Sequence, residues 1–363
     1  MKKSINQLFF ELIRSSIDLS QLSTIPTANE WEQLYDVAKK QSLVGICFNS
    51  MQQLCISYSE QVGNMPKPLK MQWIGQVMNF ERMYAKHERA MTDLARLYAS
   101  NGIRMMVLKG YGLSLDWPIP NHRAVGDLDI YNFGKWKEAD AFIAEQLGIK
   151  IDDGHEHHTV FNFHGVAVEN HYDFINTKAH RDAPKIEAQL KLLAEKNCRE
   201  IEGTKIYLPS ADFNAIFLMR HMGQHFAGEY LNLRQILDWA FFVKAHSHEV
   251  DWNATILFLK EIGLYQFFNH INAICTDNLG FAEDIFPKIE RNHYWEQRIL
   301  KDILHPEFED KKPHDGLLAI LMFKTKRWWR NRWKHQMVYN DSLLMTFATL
   351  AWSHLKRFKT IKD

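Results

Sequence analysis

The chain has no CxxC pair. Its 4 cysteines, Cys47, Cys55, Cys198 and Cys275, are scattered, which excludes a zinc knuckle and a disulfide scaffold and suits a reducing compartment. Nor is there an excess of either charge. Forty-four basic residues against 43 acidic ones leave +1, so no overall field draws the molecule to polyanions or membranes, and any nucleic-acid contact must be local. No run reaches the roughly 18 apolar residues that cross a bilayer. The opening MKKSINQLFFELIRSSIDL is interrupted by Asn6, Gln7, Glu11 and Arg14 and reads as a helix, not a signal peptide. The stretch SLLMTFATLAWSHL, residues 342–355, is apolar but too short to span. Internal repeats and low-complexity linkers are also missing. These absences predict a soluble, cytoplasmic protein.

What is present is length and apolar content. With 363 residues, 46% of them hydrophobic, two or three packed domains are expected. Changes of period set their bounds. Residues 1–100 show helical spacing, and FERMYAKHERAMTDLARLYASNG ends on Asn101-Gly102, a pair suited to the left-handed turn after a helix. Residues 101–209 alternate: the strand candidate IRMMVL, Lys109-Gly110, the helical YGLSLDW stopped by Pro118 and Pro120, the strand AVGDLDIY and the helix KWKEADAFIAEQLG. HTVFNF, His164-Gly165 and VAVENHYDF then read as a hairpin. A helix over about 182–197 and the strand KIYLP close the block. From Ser210, a predicted N-cap, residues 210–363 are helical almost throughout. The fold class is α+β, a mixed sheet with flanking helices between helical N-terminal and C-terminal regions.

Inside AVGDLDIY stand Asp127 and Asp129. Strand alternation points both the same way while Leu128 and Ile130 face the core. Paired carboxylates are tolerated where solvent or a divalent cation neutralises them, because an unpaired buried charge is costly. Oxygen-only ligands at this spacing suit Mg²⁺ or Mn²⁺, with substrate phosphates completing the shell. The plain alternative is that both acids end a strand in solvent. Upstream, Lys109 and Gly110 sit between strand and helix, where backbone N–H groups meet anions. Gly126 allows close approach of a backbone or phosphate. Downstream, VAVENHYDF offers Glu169, His171 and Asp173 on one strand face, with Glu169 expected as the third carboxylate.

Strand–Gly–helix, a strand with DxD and a further strand with an acid is the pattern of the DNA polymerase β-like nucleotidyltransferase superfamily. More closely, VLKGYGLSLDWPIPNHRAVGDLDI with VAVENHYDF resembles a family of uncharacterised bacterial nucleotidyltransferases, in which LKG, an aromatic-Pro segment, R-x-x-GD[IL]D and E-x-H recur. HMGQHFAGEYLNLRQILDWAFF looks like that family's helical segment. The resemblance implies a nucleoside triphosphate substrate and a metal held by Asp127, Asp129 and Glu169. It also implies a nucleotide cradled by Lys109, Gly110, Arg123, Gly126 and His171, with His221 and Arg234 toward base and ribose. One departure stands out: Gly110-Tyr111 replaces Gly-Ser or Gly-Gly, so phosphate binding would rest on backbone N–H groups, Lys109 and Arg123. The expected reaction is transfer of a nucleoside monophosphate to an unidentified hydroxyl acceptor, whether small molecule, sugar, RNA or protein. The alternative is a low-turnover nucleotide-binding regulatory module, as in a toxin–antitoxin or phage-defence pair.

Other constellations have plainer readings. HEHH at 155–158 suggests metal but falls on a predicted turn. His221 and His225 have i, i+4 spacing, yet no glutamate follows His221 as in HExxH, so zinc is not expected there. Arg234 and Asp238 form a helical ion pair or face the cleft. Residues 324–335 interleave Lys and Arg with three tryptophans, a pattern of nucleic-acid stacking, of a membrane surface or of an ordinary helix whose basic stems cover aromatic surface.

Overall fold

The computed structural model describes residues 3–18, 22–57, 63–228, 230–308 and 316–342, so all but the first residue of the apolar 342–355 stretch lies outside them. Four helices come first: α1 (Ile5–Asp18), α2 (Ala28–Lys40), α3 (Val44–Ser57) and α4 (Lys67–Ser100). A Thr27/Glu30 capping box starts α2, satisfying amides that the first turn leaves unpaired. The long α4 stops where expected, Gly102 taking φ +69°.

The middle of the chain runs β1 (Met105–Val107), α5 (Gly110–Ser114), β2 (Leu128–Tyr131), α6 (Trp136–Leu147), β3 (His158–Phe163), β4 (Val166–His171), α7 (Ala183–Ala194), β5 (Arg199–Ile201) and β6 (Ile206–Leu208). The strands form one mixed sheet in the order β3-β4-β2-β1-β6-β5. β2 runs parallel to β4 and antiparallel to β1, while β3 and β4 form a hairpin. His164 and Gly165 take φ +50° and +74° at its turn, as a tight two-residue connection requires. Leu128, Ile130, Phe161, Phe163, Val166 and Val168 face one side and bury a core with Ala90, Leu94 and Tyr98 of α4 and Ile143 of α6. The opposite face carries the polar residues of the site.

Six helices complete the described chain: α8 (Ala211–Gly228), α9 (Leu233–His246), α10 (Trp252–Glu261), α11 (Tyr265–Asp277), α12 (His293–Leu304) and α13 (Leu317–Val338). Ser210 accepts from the Phe213 amide at 3.3 Å. The larger core joins α1–α3 to these helices. Gln41 stitches them, its amide donating to the Ile303 carbonyl and its oxygen accepting from the Leu233 amide. The basic-aromatic segment lies on α13, and half of it is packed: Trp333 stacks on Trp295 at 5.7 Å, and buried Lys334 pairs with Asp302. Lys326, Trp329, Arg330 and Arg332 remain exposed. Among the described residues no helix is long and apolar enough to cross a membrane. The α+β class is therefore as the sequence indicates. β5, three residues that are exposed or half-buried, carries no periodic signal and was not anticipated.

One close approach fixes the segment leading into the site. A Cβ built on Gly45 of α3 would stand 1.9 Å from the His122 carbonyl oxygen, and His122 is held by Asn49 and by Glu81. Gly45→Ala must push the Pro120–His122 turn away, so it should lower stability by about 1–3 kcal/mol, as overpacking does. Denaturant melts of the two proteins check this, and equal midpoints would show the turn is free to move.

Candidate active site

The β2–β4 register sets Asp129 directly opposite Glu169 and Tyr131 opposite His171. In a parallel pair such partners share a face, so two carboxylates and an imidazole converge on the polar side of the sheet. Asp129 is 6% exposed. Its Oδ1 takes the Lys109 ammonium at 2.8 Å and His171 Nε2 at 3.0 Å. His171 Nε2 also lies 3.5 Å from Glu169 Oε2. Burial alone would raise the Asp129 carboxyl, but Lys109 and then His171 overturn that and hold it well below the usual carboxylate range. The His171 hydrogen bond lowers Glu169. Burial works against a charged His171, yet Asp129 and Glu169 raise its affinity for a proton.

Lys109 reaches Asp129 through an uncommon backbone. It has φ +42° and ψ −140°, and Gly110 follows at φ +32°, a region that side-chain-bearing residues enter only under constraint. The strand β1 ends one residue early to make this turn, and the Leu108 amide bonds the Asp129 carbonyl at 2.9 Å. Tyr111 points away: its ring lies 5.4 Å from Tyr84 and its hydroxyl donates to Glu88 at 3.1 Å. The absent Ser hydroxyl is thus replaced by a side chain bound to α4.

Asp127 stands just before β2 and is exposed. Partial burial, then Glu169 and Asp129, push its carboxyl above the ordinary value, the mark of crowded negative charge. Asp129, Glu169 and His171 offer ligand atoms within 4.8 Å of one another, and the Asp127 carboxylate borders the same cleft. Asp173 does not join them. β4 ends at His171 because the Tyr172 and Asp173 amides both turn back to the His157 carbonyl at 3.1 Å, and the Asp173 carboxylate pairs with Lys191. The expected alternation through Asp173 fails for that reason.

Lys109, Gly110, Gly126, Asp127, Asp129 and Glu169 line one side of a cleft of about 350 Å³, and Arg123, His221, His225, Arg234 and Asp238 line the other. His171 lies behind Asp129, outside this lining. Around Gly126 a Cβ would meet nothing within 4 Å, and its carbonyl is bound by His87 Nε2 at 2.6 Å. Burial, then the Lys109 charge, keep His221 well below its usual pKa, so it faces the cleft as a neutral imidazole, its ring 4.5 Å from that of His225.

Arg123 differs from expectation. Instead of standing free for phosphates it is 3% exposed and forks onto Asp238, Nε and Nη2 donating at 2.6 and 2.7 Å. Trp117 Nε1 donates to the same carboxylate at 2.9 Å. The helical pair foreseen between Arg234 and Asp238 is long, at 3.9 Å. Burial and the neighbouring Arg123 lower Arg234 to about 10, still charged at neutral pH and turned to the cleft. Sequence reasoning missed Asp238 as the anchor because its partners lie more than a hundred residues upstream. It also missed that His158 pairs with His171 in the β3–β4 register, although the His164-Gly165 turn fixes that pairing by counting.

Sheet, turn and convergent carboxylates define a nucleotidyltransferase-type α+β protein. The chain belongs to the uncharacterised nucleotidyltransferase family, whose model matches residues 27–280. No curated protein and no solved structure matches it.

Removing the anchor should be costly. Asp238→Ala strands the Arg123 charge in the interior and should cost about 3–5 kcal/mol, whereas Arg234→Ala, with a long contact, should change stability by less than about 1 kcal/mol. Urea titrations give both numbers, and equal losses would refute the assignment of Arg123 as the main partner.

Proposed function

We propose that the protein is a divalent-metal-dependent nucleotidyltransferase that moves a nucleoside monophosphate from a nucleoside triphosphate to a hydroxyl acceptor. The observation that carries this reading is the meeting of Asp127, Asp129 and Glu169 with the Lys109 turn at the floor of one cleft. An all-oxygen set with crowded negative charge suits a hard cation, so Asp127, Asp129 and Glu169 would hold Mg²⁺ or Mn²⁺. When bound, such an ion neutralises charge on the attacking and leaving oxygens.

The chain's own residues do the remainder. The acceptor oxygen bonds to the α-phosphorus while the bond to the β-bridging oxygen breaks, and pyrophosphate leaves with the electron pair. Glu169 holds the metal or accepts the acceptor's proton. Lys109 neutralises Asp129 here, and with a cation held by that carboxylate its ammonium would be available to a phosphate oxygen. Arg234 supplies the second charge for the phosphates, the part first expected of Arg123, and Arg123 positions the wall by gripping Asp238. The neutral His221 and its neighbour His225 offer hydrogen bonds toward ribose and base.

Incubation with each labelled triphosphate and cell extract, with Mg²⁺ or Mn²⁺, should label an acceptor in the parent protein. A protein that binds triphosphate but labels nothing would be a nucleotide-binding regulatory module. Asp127→Asn or Asp129→Asn should abolish labelling with the fold intact, and Asp127→Asn should raise stability in metal-free buffer at neutral pH because it removes a repelled charge. Glu169→Gln should slow transfer by at least about 10²-fold, Asp173→Asn far less; the reverse order would move the third carboxylate. Lys109→Ala should weaken triphosphate binding most at low salt, and parental affinity there would place the phosphates elsewhere.

A further inference from the structure

We propose that His157, His158 and His171 form a second metal site, for a divalent transition ion of the Zn²⁺ class, beside the acidic centre. One ring nitrogen of each lies within 4.8 Å of those of the other two. The hairpin builds the cluster: His158 and His171 are cross-strand partners, their ring centroids 5.1 Å apart, and His157 stands perpendicular to His158 at 4.6 Å. His158 is 8% and His171 2% exposed. The Nδ1 atoms of both His157 and His158 are buried without a hydrogen-bond partner. Two orphaned ring nitrogens on adjacent histidines lack the satisfaction that buried polar atoms normally find, and a metal ion supplies it.

The donor set selects the ion. Neutral imidazoles suit Zn²⁺ and its neighbours, while Mg²⁺ prefers oxygen and sheds its water reluctantly. Three protein ligands with an open fourth position are a common zinc arrangement. Carboxylates stand where outer partners of metal-bound histidines stand: Glu169 Oε1 lies 3.9 Å from His158 Nε2, and Asp129 Oδ1 lies 3.0 Å from His171 Nε2. The two centres therefore use different chemistry but share His171, so an ion among the imidazoles acts on the same ring that braces Asp129. HEHH bends over residues 155–157, as the sequence indicates, and its last residue opens β3 opposite His171.

The test titrates the chelator-stripped full chain with Zn²⁺ alone, in competition with a chromophoric chelator. One Zn²⁺ per chain should bind and stay bound in a large excess of Mg²⁺. His157→Ala or His158→Ala should weaken binding at least about tenfold, the loss typical even of an outer-sphere partner, with Asp127→Asn close to the parent. Asp127→Asn should meanwhile abolish nucleotidyl transfer, so failure of either reading shows separately. Should His158→Ala fail to fold, the less buried His157→Ala decides. Co²⁺ in place of Zn²⁺ should give the visible spectrum of a nitrogen-ligated tetrahedral ion. Absence of stoichiometric Zn²⁺, parental affinity in the histidine variants, loss confined to Asp127→Asn, or an octahedral Co²⁺ spectrum would each overturn the proposal.

Discussion

Two carboxylates placed opposite each other on adjacent parallel strands are the constraint around which the molecule is arranged. Asp129 and Glu169 cannot move apart, because their strands are locked by register and by a buried apolar face beneath them. Their charges must be met from above. Lys109 does so, and only because the chain after β1 bends into a left-handed turn that returns the ammonium over Asp129. His171 does so from the side. Much of the local irregularity, including the short β1 and the positive φ at Lys109, follows from this need to neutralise a fixed pair.

The opposite wall of the cleft is held by a different device. Arg123 leaves the sheet region and grips Asp238 on α9 with two hydrogen bonds, a planar fork that a lysine does not reproduce. Gly45 and His122 seat the turn just before it. Helices from the first hundred residues thus position the arginine that fixes the wall. The family match reaching back to residue 27 agrees with that dependence.

The sheet and its carboxylates were readable because strand alternation and a two-residue turn are local signals. DLD places Asp129 on the polar face, and the His158–His171 pairing, though missed, was there to be counted back from His164-Gly165. The reading failed where strand geometry stopped. Asp173 left the face when two amides turned back to His157, and nothing in VAVENHYDF marks that point. Arg123 was seen as a cationic ligand because its carboxylate partner lies 115 residues away, and a side chain's partner across such a distance has no periodic trace. Tyr111 looked like a loss to phosphate binding, whereas its hydroxyl and ring are bound to α4.

The two cores differ in how their residues are spread along the chain. The one beneath the sheet draws on residues 90–206 alone, while the larger one brings Leu8, Trp31 and Trp73 together with Phe226, Phe267 and Val338. During synthesis the early helices emerge before α8–α13 exist, and until then Trp31, Tyr35 and Trp73 can pack only on one another and their own helices. The core beneath the sheet needs no residue beyond Ile206, so it can close before the later helices are made, and its contacts, nearer in sequence, cost less loop entropy. Until the later helices arrive, the apolar sides of α1–α3 are surface for chaperones or for neighbouring nascent chains.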